Sequence, residues 1–423
     1  MDPVLSIRSF EKSFYLIFMP KLLQINVALN KGSTGRIAEQ IGKLARSKGW
    51  DTFILHGARY VNTSEMYSFQ TGTPLLEKIH AVRSMLFDAH GLGSVNETQK
   101  AIEIIKQIKP DIIHLHNIHG YYLNYKILFE YLATTNTPVV WTLHDCWSMT
   151  GHCSHFDYIG CERWKYGCYN CPLKGDYPKS LFLDRSKQNY LLKKTLFSSV
   201  ENMTIVPVSK WLGSIVEQSF LREYPIRVIN NGVDLKVFSP KETDLKDRLG
   251  LTGKNVLLGV AASWKEDKGL REFIKLSRIA EYQVIMVGVP AKLKGKLPEA
   301  IIAIERTNSQ EELADYYSMA DVLVNPTYND TFPTVNLEAL ACGTPVVTYR
   351  TGGSPESITP ETGFVVEKGD CNALYAAIME IIAKGKDFYS AACRKRAENL
   401  YNKDDRFLEY LDLYQHLLSD KCY

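Results

Sequence analysis

From Lys21 onward, apolar and polar positions alternate between two repeating patterns. Short apolar runs such as "LLQINVAL" and "DTFILHG" have the length and composition of buried strands. They alternate with stretches of helical spacing, such as "RIAEQIGKLARSKG", which closes on Gly49. The same rhythm predicts a helix over "AIEIIKQIKP" stopped by Pro110, strands over "DIIHLHN" and "PVVWTLHD", and a last strand of this half over "MTIVPVS". Turn residues and a proline in "RVINNGVDLKVFSPK" interrupt the pattern, after which a second series opens. Here "NVLLGVAAS", "YQVIMVGVP", "DVLVNPT" and "TPVVTYR" read as strands, "KGLREFIKLSRIA" as a helix, and Ser309 with Glu312 as a capping box before "LADYYSMA". "DDRFLEYLDLYQHLL" remains as a lone amphipathic helix. Short strands alternating with helices imply parallel, doubly wound sheets, so the expected fold class is α/β with two Rossmann-like domains.

Length supports that division, because 423 residues exceed what one hydrophobic core normally serves. The expected organisation is an extension over residues 1–19, a first domain over 20–228 with a cysteine-rich insert at about 146–180, a second domain over 229–400, and a terminal helix over 401–423. Apolar content of 45% and charged content of 23% suit a soluble enzyme. A net charge of +3 gives no argument for nucleic acid, though it is compatible with visiting an anionic membrane surface. Nine cysteines, an odd number, without an evident export signal point to a reducing cytoplasm. The apolar patch in "KSFYLIFMPK" is short and lacks a small-residue cleavage site. No segment approaches the roughly 20 apolar residues of a membrane span. The expected location is cytoplasmic, or peripheral at the inner face of a membrane.

Open parallel sheets bind ligands at the C-terminal ends of their strands, which directs attention to the strand-to-helix turns. The stretch "NPTYNDTFPTVNLEALACGTPVVTYRTGGSPE" places two acids, Asp330 and Glu338, in small, apolar and turn residues. Pro333 and Thr334 are expected to start a helix, with Thr334 as its cap. The first-turn amides of Thr334, Val335 and Asn336 would then lack helical partners and favour a phosphate. Glu338, one turn further on, suits a ribose diol, and Asp330 suits the hydroxyls of a sugar beyond the phosphates. Taken alone, the acids read as a turn former and a solvated helix residue. Small apolar neighbours around Glu338 make a free carboxylate there costly unless a partner satisfies it.

This segment resembles the glutamate, seven residues, glutamate signature of retaining nucleotide-sugar glycosyltransferases of family 4, with "EALACGTPVV" and "TGGSPE" close to the family pattern and Asp330 standing where the first glutamate is usual. The resemblance implies the GT-B fold: two Rossmann-like domains facing a cleft, with the C-terminal helix crossing back to the first. It also implies a sugar-holding role for Asp330, a ribose role for Glu338, and backbone contacts from Phe332, Pro333 and Thr334 to the transferred sugar and its phosphate. In "AASWKEDKGL" it carries a diphosphate-binding lysine onto Lys268, while Ala262 or Ser263 occupies the usual arginine position and Lys265 is the possible stand-in. In "LNKGSTGRIAEQ", Gly32 and Gly35 would lie against donor phosphates and acceptor, with Arg36 toward the acceptor; a purely structural tight turn also accounts for Gly35. In "DIIHLHNIHG" the family's functional histidine is carried onto His116, with His119 as the alternative and His114 read as core. No catalytic metal is implied.

Cys153, Cys161, Cys168 and Cys171, spaced C-x7-C-x6-C-x2-C, suit a structural zinc ion in a loop otherwise too long to order itself; unliganded thiols are the plain alternative. Such an insert after "WTLHD" resembles transferases of the bacterial capsule and colanic-acid type. The implied activity moves a sugar from a nucleotide-diphosphate sugar to a saccharide acceptor, lipid-linked at the inner membrane face, with no nucleic-acid partner. Two other readings stand beside it: a GT-B epimerase or hydrolase acting on the nucleotide sugar, and a zinc-bearing module binding RNA or protein. The mixed charges of residues 151–180 show no basic stripe for RNA.

Overall fold

The computed structural model describes residues 19–420, so the extension expected over residues 1–19 lies, but for Met19, outside the described residues. The described residues form two six-stranded sheets in which every neighbouring pair is parallel. The first holds β1 (Lys21–Leu29), β2 (Asp51–Val61), β3 (Tyr67–Gln70), β4 (Ile112–Leu115), β5 (Val139–Leu143) and β6 (Met203–Pro207) in the order β3-β2-β1-β4-β5-β6. The second holds β7 (Asn255–Val260), β8 (Tyr282–Val287), β9 (Ile301–Ile304), β10 (Val322–Asn325), β11 (Val346–Tyr349) and β12 (Gly363–Val366) in the order β12-β11-β10-β7-β8-β9. Both follow one plan, with the strand order reversing between β1 and β4 and between β7 and β10. That reversal opens a crevice beyond the strand ends where doubly wound sheets hold ligands. The central strands β4 and β5 are largely apolar because helices cover both faces, and β4, β5 and the edge strand β6 are buried at every position.

The helix Lys403–Ser419 crosses back to the first domain. Its Phe407, Tyr410, Leu411 and Tyr414 join a core with Leu22, Ile41, Trp50 and Ile112. His114 is a core residue whose ring is bonded to Thr142 Oγ1 of β5 at 2.8 Å and to Tyr414 Oη of the terminal helix at 2.6 Å.

Several histidines are buried as neutral rings. Burial lowers the pKa of His80 and of His144 to about 4, and it lowers those of His114 and His116 well below the usual value. The unfolded chain therefore binds more protons than the native one between about pH 4 and 6.5, and stability falls as pH drops through that window, by about 1.4 kcal/mol per pH unit for each such ring. Urea denaturation at pH 7.5 and 5.0 should show a lower midpoint at the acidic pH. Equal midpoints would show that these rings are not buried neutral.

Candidate active site

The C-terminal strand ends of the two sheets face each other across a cavity of about 330 Å³, within the roughly 300–1,000 Å³ usual for ligand clefts. Two turns of the second domain build one wall: Ala261–Trp264 after β7, and Asn329–Val335 after β10, which runs into the start of the helix Thr334–Ala341. Lys268 Nζ lies in the middle of that wall, 3.0 Å from Asp330 Oδ2 and 2.6 Å from the Asn329 carbonyl. The loop's shape depends on the "TGGSPE" segment behind it. Gly352 has φ +52°, and a Cβ there would stand 1.8 Å from the Asp330 carbonyl oxygen, so only glycine lets the two backbones approach.

The helix start differs from expectation in one respect. Pro333 occupies the N-cap position, Thr334 is the first helical residue, and no side chain caps the end. The Asn336 amide donates to the Pro333 carbonyl at 3.2 Å, leaving the Thr334 and Val335 amides as those without a helical acceptor. The Asn336 side chain is buried away from the cleft, bonded to Asn325, Ser354 and Ser357, where it ties the helix to the "TGGSPE" turn. Glu338 lies one turn behind the Thr334–Val335 wall and accepts from Tyr317 Oη at 2.7 Å. Burial raises its pKa, and the Tyr317 hydroxyl, the Arg36 charge and Thr334 partly offset that. The Arg36 charge thus reaches Glu338 from the first domain.

On the first domain, Ser33 and Thr34 line the cleft while their neighbours Gly32, Gly35 and Arg36 do not. Gly35 serves packing, since a Cβ there would meet Ala28 and Asn30 at 3.2–3.3 Å. The histidine expectation needs correction. His116 is fully buried, one ring nitrogen 3.0 Å from Gln24 Oε1 and the other 3.2 Å from His144 Nε2, so it stands a layer behind the surface. His144 is the ring that lines the cleft, next to Asp145. His119 is also outside the cleft wall; its Nε2 lies 2.8 Å from Asp145 Oδ2 and its Nδ1 3.1 Å from Tyr177 Oη. Burial alone would raise the Asp145 pKa, but His119, with help from His155 and the Trp147 amide, brings it to about 2. His144 and Asp145 follow directly after β5, so their position at a strand end was the available signal for them.

The insert delivers a third unanticipated group, His155, into the cleft between Asp145 and the Lys268–Asp330 pair. Its tip also bridges the two domains: Lys368 Nζ lies 3.0 Å from Asp157 Oδ2, and the Tyr158 amide donates to Asn329 Oδ1 at 3.0 Å. One other bond crosses the cleft nearby, Thr331 Oγ1 to the His144 carbonyl at 2.7 Å, and Asn231 of the connecting segment donates from Nδ2 to the Phe332 carbonyl at 3.3 Å. Glu356 of "TGGSPE" accepts from the Lys210 and Trp211 amides at the start of a first-domain helix.

The four cysteines of the insert line one small cavity, all as free thiols. Cys168 Sγ accepts from the Gly151 amide, Cys153 and Cys171 are paired with each other, and among the described residues no three His, Cys, Asp or Glu side chains form a group that could hold a metal ion. The loop has another source of order, a small apolar core in which Phe156 stacks on the buried Trp164 at 5.1 Å beside buried Leu173.

Residues 36–237 match the family described as Glycosyltransferase Family 4, and residues 254–384 match Glycosyl transferases group 1. WcaC of Escherichia coli (strain K12), whose name assigns it to colanic acid biosynthesis as a glycosyl transferase, is 25% identical over 414 residues, covering 94% of this chain and 100% of its own. The capsular polysaccharide biosynthesis glycosyltransferase CapM of Staphylococcus aureus is 26% identical over 262 residues, 55% of this chain and 66% of its own. Among solved structures, sucrose-phosphate synthase from Thermosynechococcus elongatus superposes with a TM-score of 0.73 at 20% identity, over 95% of this chain and 100% of that one. Anabaena HepE in complex with UDP superposes with a TM-score of 0.64 at 14% identity, over 94% and 100%. One family description falls on each of the two facing domains, WcaC is matched over its full length, and the fold is that of solved glycosyltransferase-type structures: the chain is a glycosyltransferase of GT-B fold, with a Glycosyltransferase Family 4 domain followed by a Glycosyl transferases group 1 domain.

Proposed function

We propose that the enzyme transfers a sugar, with retention of configuration, from a nucleotide-diphosphate sugar to a saccharide acceptor carried on a lipid during surface-polysaccharide synthesis. The observation that carries this reading is the convergence of Lys268, Asp330 and the uncapped helix start at Thr334 on one wall of the interdomain cleft. The helix start and Lys268 receive the diphosphate. Asp330 holds sugar hydroxyls once the donor shares Lys268 with it, and Glu338 takes the ribose. Charge that builds on the departing diphosphate is met by Lys268, and the leaving phosphate accepts the proton of the acceptor hydroxyl attacking from the same face. His144, Asp145 and His155 close the opposite side, where sugar and acceptor meet. The cleft supplies this arrangement from protein groups, and the cysteine cluster shapes the insert. Support for a polysaccharide acceptor comes from the names of WcaC and CapM, and for a uridine donor from the HepE complexes with UDP and UDP-glucose.

A thermal-shift series with UDP-, GDP-, ADP- and dTDP-sugars tests the donor. One nucleotide class should stabilise the fold by roughly 2.7 kcal/mol at a hundredfold excess over its Kd. If none of the four raises Tm at millimolar concentration, the nucleotide-sugar reading is lost.

A further inference from the structure

The helix Pro74–Phe87 is folded inside out. Surface helices ordinarily turn an apolar stripe to the core and polar residues to water. Here the side against the protein carries Glu77, His80 and Ser84, each 2% exposed, while Leu75 (66%), Ile79 (56%), Val82 (50%) and Phe87 (52%) face outward. Specific bonds fix this rotation. Glu77 accepts from the Ala58 amide and pairs with Arg59 Nε at 2.8 Å, and His80 is bonded to Ser94 Oγ at 2.9 Å and to the Gly93 amide at 3.0 Å. Turning the apolar side inward would break all four. The outward face continues onto the end of the insert, where the Leu181 amide donates to the Met85 carbonyl at 2.8 Å and presents Leu181, Phe182 (70%) and Leu183 beside the helix. Exposed Lys78, Arg83, Lys179 and Arg185 frame the apolar side chains, against exposed Asp176 and Asp184.

We propose that this face docks on the surface of an anionic phospholipid bilayer, its apolar side chains at the boundary of headgroups and acyl chains and its cations over the headgroups. Contiguous exposed apolar patches mark interaction surfaces, and the basic frame selects among partners. A second copy of the chain, meeting this face with the same face, would bring like charges together. An anionic lipid surface complements them, and an apolar helix face framed by Lys and Arg is the arrangement that lies in such an interface. Among the described residues no helix is long and apolar enough to cross a membrane, so surface docking is the route by which these residues reach a lipid-carried acceptor. That last step rests on the proposed acceptor; the docking face does not. Arg59, the partner of Glu77, lies over the rings of Tyr60 and Tyr121, and Tyr121 packs on Tyr177, which bonds His119 next to Asp145. The docking face is therefore a few side chains from the acceptor side of the cleft.

Cosedimentation of the full chain with vesicles of phosphatidylcholine, with and without phosphatidylglycerol, tests the proposal. Binding should require phosphatidylglycerol and weaken with salt. Ile79→Ser/Val82→Ser/Phe182→Ser and, separately, Lys78→Glu/Arg83→Glu should each weaken it by about tenfold or more, with Tm and transfer to a soluble acceptor unchanged. Absence of binding to the anionic vesicles, or binding indifferent to both variants, overturns the proposal. So does a dimer that dissociates on the serine substitutions, because it would assign the face to a second copy. Vesicle binding is read without donor, so its failure is distinct from failure of the transferase reading.

Discussion

Lys268→Ala is expected to lower the transfer rate on the order of 10²–10³-fold, the effect of removing one preorganised donor to a charge that develops in the transition state. Lys268 is the single Lys or Arg among the described side chains lining the cleft, so no neighbouring cation takes over. The exposed Lys265 of the same turn is not part of the wall. Removing Lys268 also leaves Asp330 without its ion-pair partner, adding a bare carboxylate beside the diphosphate. The pair is itself partly exposed, and such pairs contribute at most about 1 kcal/mol to stability, so unfolding will not account for the loss. Steady-state rates and Tm measured on the same preparation separate the two effects. A rate reduced less than tenfold would take Lys268 out of the diphosphate role.

Glu338→Ala should weaken nucleotide binding roughly ten- to a hundredfold, the loss of charge-assisted hydrogen bonds of about 1.5–3 kcal/mol. Glu338→Gln keeps an acceptor for Tyr317 while losing the charge, and it should fall between the parent and the alanine variant. Calorimetric titration with the nucleoside diphosphate reads this directly. An unchanged affinity in both variants would remove Glu338 from the ribose role and leave it as the partner of Tyr317 alone.

Nine of the twelve strands were legible in the hydrophobic pattern, and three were not. β3, β9 and β12 are four-residue edge strands: β3 (YSFQ) has no continuous apolar run, while β9 (IIAI) and β12 (GFVV) are apolar but too short for pattern alone to separate them from other buried segments. The second-domain wall of the site was also legible, because Lys268, Asp330, Phe332 and Thr334 lie on two turns at adjacent strand ends. The first-domain wall was less so. His116 and His144 sit directly after neighbouring strands with their rings in contact, and which of the two reaches the surface depends on where β4 and β5 stop relative to each other, a difference of register that single-sequence patterning does not carry. His155 was hidden for another reason: its loop has no periodicity, and its direction is set by the small core around Trp164. The inside-out helix shows the same limit from the other side. "PLLEKIHAVRSMLF" has helical spacing, but spacing does not say which side faces the protein.

The bonds across the cleft bear on the timing of the reaction. Thr331 and Asn329, which make two of them, flank Asp330 in the chain, so on the proposed reading a donor large enough to force the domains apart must first detach the very loop that is to hold it. Separation of the domains and disassembly of the wall are then one event. A donor resting in the open form would meet an incomplete set of charges, and water reaching it there would find no stabilised leaving group. On the proposed reading, geometry alone then disfavours wasteful hydrolysis before any acceptor has arrived.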